Sequence, residues 1–209
     1  MLVEIAAFSA AAALIVLLPG PDTLVVLRSL LRHGRPHAGW TVIGVLSGLA
    51  IWVCVAALGL SAVLRASDDA YLALRVAGGI YLIWLGVRSL RARLSGASTH
   101  AARHRQPRRP GLMDSGYAAG LATDLLNPKV GVFFVTFLPG FVPPGQSVGV
   151  VSLLLGAIFI VEAAAYFAIL LVVSGSVTRW LDTPQIRRRM DRITGAVLIA
   201  FGVRLVLEP

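Results

Sequence analysis

Cys54 is the only cysteine among 209 residues, so the chain has no intramolecular disulfide and no thiol pair, which excludes a membrane thiol-redox carrier. Charge is scarce too. Asp, Glu, Lys and Arg make up 14% of the residues, against roughly 25% in a soluble domain. The four histidines, His33, His37, His100 and His104, fall in or beside loops at spacings that fit no metal site, so neither a metal nor another cofactor is expected. A secretory signal also lacks its basic leader here: Glu4 is the only charge before Asp22, and the first apolar run continues to Leu31 instead of ending after a short core.

What the chain has in abundance is apolar surface. Hydrophobic residues account for 57% of it, and the mean hydropathy is +0.81. Runs near the ~20 residues needed to cross the hydrocarbon of a bilayer cover Leu2 to Leu31, Ala38 to Leu64, Tyr71 to Leu90, Ser115 to Phe141, Val148 to Val173 and Ile193 to Leu207. This predicts an all-α integral membrane protein of six transmembrane helices in a single domain, with no room for a second.

The net charge of +9 does not indicate nucleic acid, because the basic residues sit in clusters between spans. Arg28, Arg32 and Arg35 follow the first span. A second cluster runs from Arg88 to Arg109, and a third includes Arg179, Arg187, Arg188, Arg189 and Arg192. By the positive-inside rule these loops are cytoplasmic and both termini lie outside. The clusters also suit anionic membrane lipid. Residues 95–110, rich in Arg, His, Ser and Pro, read as a cytoplasmic linker between repeat one, 1–94, and repeat two, 111–209. Three spans per half is odd, so the second half enters the membrane from the opposite face, as in an inverted repeat.

Each half opens on a span interrupted by proline beside an ionisable residue: Pro19-Gly20-Pro21-Asp22 in the first span and Asn127-Pro128-Lys129 in the fourth. An internal proline costs a helix about 3 kcal/mol, and a charge at the bilayer centre costs about 2.5 to 3.5 kcal/mol. Two spans carrying both costs are expected to line a cavity where freed backbone and charge meet a solute. At 1.5 Å per residue, Pro19 lies ~25 Å from Leu2 and the second motif ~20 Å from Ser115, both deep in the membrane. The restarted half-helices offer unpaired amides and a positive dipole end.

Asp22, Asn127 and Lys129 are therefore the expected contacts to solute or coupling ion, with Pro19, Gly20, Pro21 and Pro128 setting the breaks. Asp22 is the expected ion-pair partner of Lys129, which a zwitterionic solute would open. The bland readings are a packing kink capped by Asp22 and a structural ion pair joining the halves. Asp124, one turn before Pro128, and Glu162, near the middle of the fifth span, each read as a proton carrier or as a partner satisfied by a neighbouring helix. For Asp124 the structural reading leads. Gly44 and Gly48, Gly116 and Gly120, and the pairs seven apart, Gly79 and Gly86, Gly149 and Gly156, and Gly195 and Gly202, form close-packing faces. Those faces serve contacts within one subunit or across a homodimer.

With both motifs in place, the chain resembles the LysE/RhtB amino-acid exporter family. The likeness rests on Pro19-Gly20-Pro21-Asp22, Tyr81-Leu82-Ile83-Trp84-Leu85-Gly86-Val87, Asn127-Pro128-Lys129 with Phe133-Phe134, and Phe137-Leu138-Pro139-Gly140-Phe141. It implies a six-span inner-membrane protein, not an enzyme, that exports amino acids with the proton gradient as the driving force. Asp124 departs from the uncharged polar residue expected before the second motif, which leaves room for a cationic solute or a shifted proton site. The alternative class is a non-transporting membrane scaffold whose intramembrane charges hold partner helices.

Overall fold

Proline and glycine positions dictate where the helices stop. The fold is that of a computed structural model, which describes residues 2–91, 115–143, 145–173 and 184–207. Within them lie α1 (Leu2–Leu17), α2 (Pro21–Ala66), α3 (Asp68–Arg91), α4 (Gly116–Leu125), α5 (Pro128–Val132), α6 (Val148–Val172) and α7 (Pro184–Leu207). No strand occurs among the described residues. The expected linker, 95–110, lies outside them.

The continuous range of α2 conceals a reversal. Gly34 has φ 82° and ψ −178°, a left-handed conformation that glycine adopts at no steric cost, and Pro36 follows. In a straight helix Ser29 and Thr41 would be ~18 Å apart, yet the Thr41 hydroxyl donates to Ser29 Oγ over 2.8 Å. Residues 21–33 and 35–66 are therefore the two limbs of a hairpin. The first limb belongs with α1 across the first proline break.

Beyond α5 the chain widens into a π-helix, Phe133–Phe137, and then tightens into a 3₁₀ turn, Leu138–Phe141. Pro139 accounts for the change of pitch, since it has no N–H for the carbonyl of Val135 and its ring crowds that turn. The π segment carries the aromatic core. Phe8, Phe134, Phe137 and Phe159 all pack with ring centroids 5.2 to 6.0 Å from Phe133.

The glycine faces are used within the chain. A Cβ on Gly44 or Gly120 would overlap backbone of the opposing helix, at Tyr117 and Thr41 respectively, so α4 and the second limb of α2 touch main chain to main chain. Between α3 and α7 the arrangement is reciprocal: Gly86 faces the carbonyl of Gly195 and Gly195 that of Gly86, while Gly79 and Gly202 do the same. Such approach lets dispersion hold helices together in lipid.

Among the described residues three helical stretches are long and apolar enough to cross a membrane: Pro21–Gly59, which contains the reversal at Gly34, Asp69–Arg91 and Val148–Val172. The pair Gly116–Leu125 and Pro128–Phe141, bent by 49°, makes a fourth when taken as one span. At 16 residues α1 is apolar but rises only ~24 Å by itself. The outer surface is apolar as lipid requires, with Leu14, Ile43, Leu58, Ile80, Val161 and Ile169 all exposed.

Candidate functional site

In an α-helix the carbonyl of residue i accepts from the N–H of residue i+4. Proline has no N–H, so Pro19 orphans the carbonyl of Ile15 at the end of α1. The chain's only lysine fills that gap. Lys129 Nζ donates to the Ile15 carbonyl over 3.2 Å and to the Leu18 carbonyl over 3.1 Å, from a helix more than a hundred residues away. Gly20 makes room for it, since a Cβ there would lie 3.2 Å from Lys129 Nζ. The expected Asp22–Lys129 ion pair is not formed. The physical reason is the proline break itself, which presents the ammonium with two unpartnered carbonyls.

The second break is built by the same logic. Pro128 deprives the Asp124 carbonyl of its donor, and that carbonyl accepts instead from the Asn127 N–H at 2.9 Å and from Trp52 Nε1 at 3.4 Å. Asn127 caps the restarted helix, its Oδ1 accepting from the Lys129 N–H over 3.1 Å. The other end of the same side chain reaches the first break, where Asn127 Nδ2 donates to Asp22 Oδ2 over 2.6 Å. Each break thus supplies a hydrogen-bonding group that the other lacks. Asp22 accepts from Asn127 where the sequence suggested that it would cap amides of its own helix.

Between the breaks lies a small cavity of about 30 Å³, lined by Gly20, Asp22, Thr23, Asp124, Lys129 and Tyr166 together with apolar side chains from α1, α2 and α6. That is space for a water or two and not for an organic solute. Asp124 is fully buried, and neither carboxylate oxygen has a hydrogen-bond partner among the described residues. Asp22 Oδ1 is likewise unpartnered. Asp124 packs against Gly48, where a Cβ would lie 2.5 Å from Oδ2.

Sequence reasoning missed Thr23 and Tyr166, whose hydroxyls are 3.4 Å apart across the cavity. Thr23 follows Asp22 directly, so adjacency to the motif was an available signal. Tyr166 had none. The ring of Trp52 also packs against Gly131 while its indole N–H serves the broken helix. Glu162 is on α6, yet the cavity is lined there by Phe159, Ala163, Tyr166 and Phe167, and Glu162 is not brought to it. Among the described residues no group of His, Cys, Asp or Glu is placed to hold a metal ion.

Residues 13–209 match the family described as LysE type translocator. The chain belongs to this family. It is 28% identical to the membrane protein YrhP of Bacillus subtilis (strain 168), over 94% of this chain and 95% of that one. It is 30% identical to the threonine efflux protein of Escherichia coli (strain K12), over 91% of each. It is also 28% identical to the leucine efflux protein of Klebsiella pneumoniae subsp. pneumoniae, over 93% of this chain and 90% of that one. No solved structure matches the chain.

As a LysE-type translocator the protein is a membrane transporter and not an enzyme. The site suits that role, because its polar groups are held by contacts between two separate helix breaks and not by one rigid element. Motion of one break relative to the other would expose Lys129, Asp22 and the carbonyls of Ile15 and Leu18 together.

Proposed function

We propose that this LysE-type translocator is a secondary transporter that exports a small amino acid or close derivative across the inner (plasma) membrane by alternating access. The observation that carries this reading is the small cavity with polar groups at the meeting of two proline breaks, joined by the Asn127–Asp22 hydrogen bond and by Lys129 on the carbonyls of Ile15 and Leu18. The efflux names of the threonine and leucine relatives support the substrate class. Six spans form two inverted repeats, 1–94 and 111–209, which rock about the breaks. Both termini lie outside, and the arginine-rich loops face the cytoplasm among anionic lipid headgroups.

A zwitterionic solute competes for the contacts that hold the cavity shut: its carboxylate takes Lys129, and its ammonium takes Asp22 and the orphaned carbonyls. Two carboxylates then face one lysine, and Asp124 carries the coupling proton. The polar groups that share the cavity wall with Asp124 are Asp22 and Thr23 from the first limb of α2, Lys129 from α5 and Tyr166 from α6, while the second limb contributes the apolar Val45 and Leu49. Glu162 is set aside as a carrier because it does not line the cavity.

The test is efflux from proteoliposomes loaded in turn with each protein amino acid, with a pH gradient imposed. Asp22→Asn and Lys129→Gln proteins, reconstituted at wild-type levels, are expected to lose nearly all efflux. In Asp124→Asn, efflux is expected to lose its dependence on the pH gradient, whereas Glu162→Gln keeps it. Wild-type rates in Asp22→Asn and Lys129→Gln together would overturn the assignment.

A further inference from the structure

A second polar cavity, of about 160 Å³, lies on the same seam as the first, and the transport mechanism above leaves it unused. Arg28, Ser29 and Arg32 line it from the first limb of α2, His33 from the turn, and His37 and Thr41 from the second limb. Arg28 and Arg32 are one helical turn apart, as are His37 and Thr41, so each limb presents its pair on one face. The floor is fixed by hydrogen bonds. Fully buried Thr41 donates to Ser29 Oγ over 2.8 Å, and Ser29 Oγ lies 2.8 Å from His37 Nδ1. The rings of His33 and His37 meet at a tilt of 36° with centroids 4.4 Å apart. No carboxylate lines this cavity.

Its position relative to the first cavity is set by three walls that the two share. Passing from one to the other, the lining moves from Thr23 to Val25 on the first limb, from Val45 to Thr41 on the second, and from Asp124 to Ala119 on α4. These steps of two to five residues amount to ~3 to 8 Å along each helix, and all run toward the arginine-rich side. The two cavities therefore lie one after the other along the same three helical walls.

Two guanidiniums, two imidazoles and buried hydroxyls, with no acid among them, recognise an oxyanion. The apolar part of the lining is only Val25, Ala119 and the glycine backbone, which leaves no groove for the acyl chains of a lipid. We infer that this cavity is a cytoplasmic loading site, which binds the carboxylate of the amino acid before the inner cavity opens to receive it. The inference rests on the export reading. It adds a site whose loss weakens capture from the cytoplasm and leaves the translocation step intact.

The experiment measures efflux against internal concentration for the amino acid that the wild-type chain exports best. Vesicles are made of phosphatidylcholine alone and of phosphatidylcholine with phosphatidylglycerol. In Arg28→Gln/Arg32→Gln the internal KM is expected to rise roughly tenfold, the effect of losing a charged hydrogen bond, while kcat at saturation stays near wild type in both vesicles. Arg28→Lys/Arg32→Lys, which keeps the charge that orients the chain, is expected to recover part of the loss. An unchanged KM overturns the loading site and leaves the export reading standing. A defect confined to vesicles with phosphatidylglycerol also overturns it, in favour of a lipid headgroup. Should the wild-type chain export no amino acid, the export reading falls first. Acetate then decides the oxyanion site alone: thermal stabilisation of the purified chain that disappears in the double Gln variant supports it, and equal stabilisation refutes it.

Discussion

Lys129 stands in for the amide hydrogen that Pro19 lacks, and this single substitution of donor explains why the chain keeps its one lysine deep in an apolar environment. Lysine has a flexible stem and three rotatable donors, so one ammonium spans the carbonyls of Ile15 and Leu18 at 3.2 and 3.1 Å. Lys129→Met is expected to strand both carbonyls, at a cost of about 1–3 kcal/mol for each buried acceptor, and to lower the thermal unfolding midpoint of the purified protein. Lys129→Gln retains a donor and should unfold between the two. A Lys129→Met protein as stable as wild type would refute the donor role. The motif around Lys129 was legible in the sequence. Its partner was not, because attraction between opposite charges favours Asp22 until the geometry of the break brings in two uncharged acceptors.

At the scale of elements, the breaks are interruptions that neighbouring helices repair. Pro19 and Pro128 each free a carbonyl four residues back, and each carbonyl finds a donor on a different helix, Lys129 for Ile15 and Trp52 for Asp124. Pro19→Ala restores a local donor to Ile15. The variant is expected to unfold at a higher temperature, by some fraction of the ~3 kcal/mol that an internal proline costs, while efflux slows because the ammonium has lost part of its seat. Lower stability with unimpaired efflux would count against this account. Helix limits were readable from proline, and the turn at Gly34 from the gap between apolar runs. The π-helix over Phe133–Phe137 was not anticipated, although Pro139 causes it. The glycine faces were visible as spacings, and only packing assigned them: Gly44, Gly48, Gly116 and Gly120 join α2 to α4, and Gly79, Gly86, Gly195 and Gly202 join α3 to α7.

For the whole molecule, a cavity of about 30 Å³ lined by Asp22, Asp124, Lys129 and Tyr166 is too small to hold an organic solute. Under the proposed alternating access, solute passage requires the breaks to separate and the protein to visit at least one more open arrangement. Ala163 lines the cavity and is 2% exposed, which makes it a reporter of that opening. In a Cys54→Ser background, Ala163→Cys is expected to react slowly with a water-soluble thiol reagent at rest and faster during solute efflux. Equal rates in the two conditions would mean that the cavity does not open during transport.

By itself the sequence determined the environment and the points of rupture. Composition demanded lipid, and proline and glycine ended helices, because each of these follows from what a residue is wherever it sits. The tertiary structure alone decided which groups meet. It gave Lys129 to the carbonyls of α1, Asn127 to Asp22 and Trp52 to Asp124, left Asp124 without a hydrogen bond, brought Tyr166 to the cavity and kept Glu162 away. A broken helix announces unmet hydrogen bonds in its own residues, but the donor that satisfies them comes from whichever distant segment packing carries within about 3 Å.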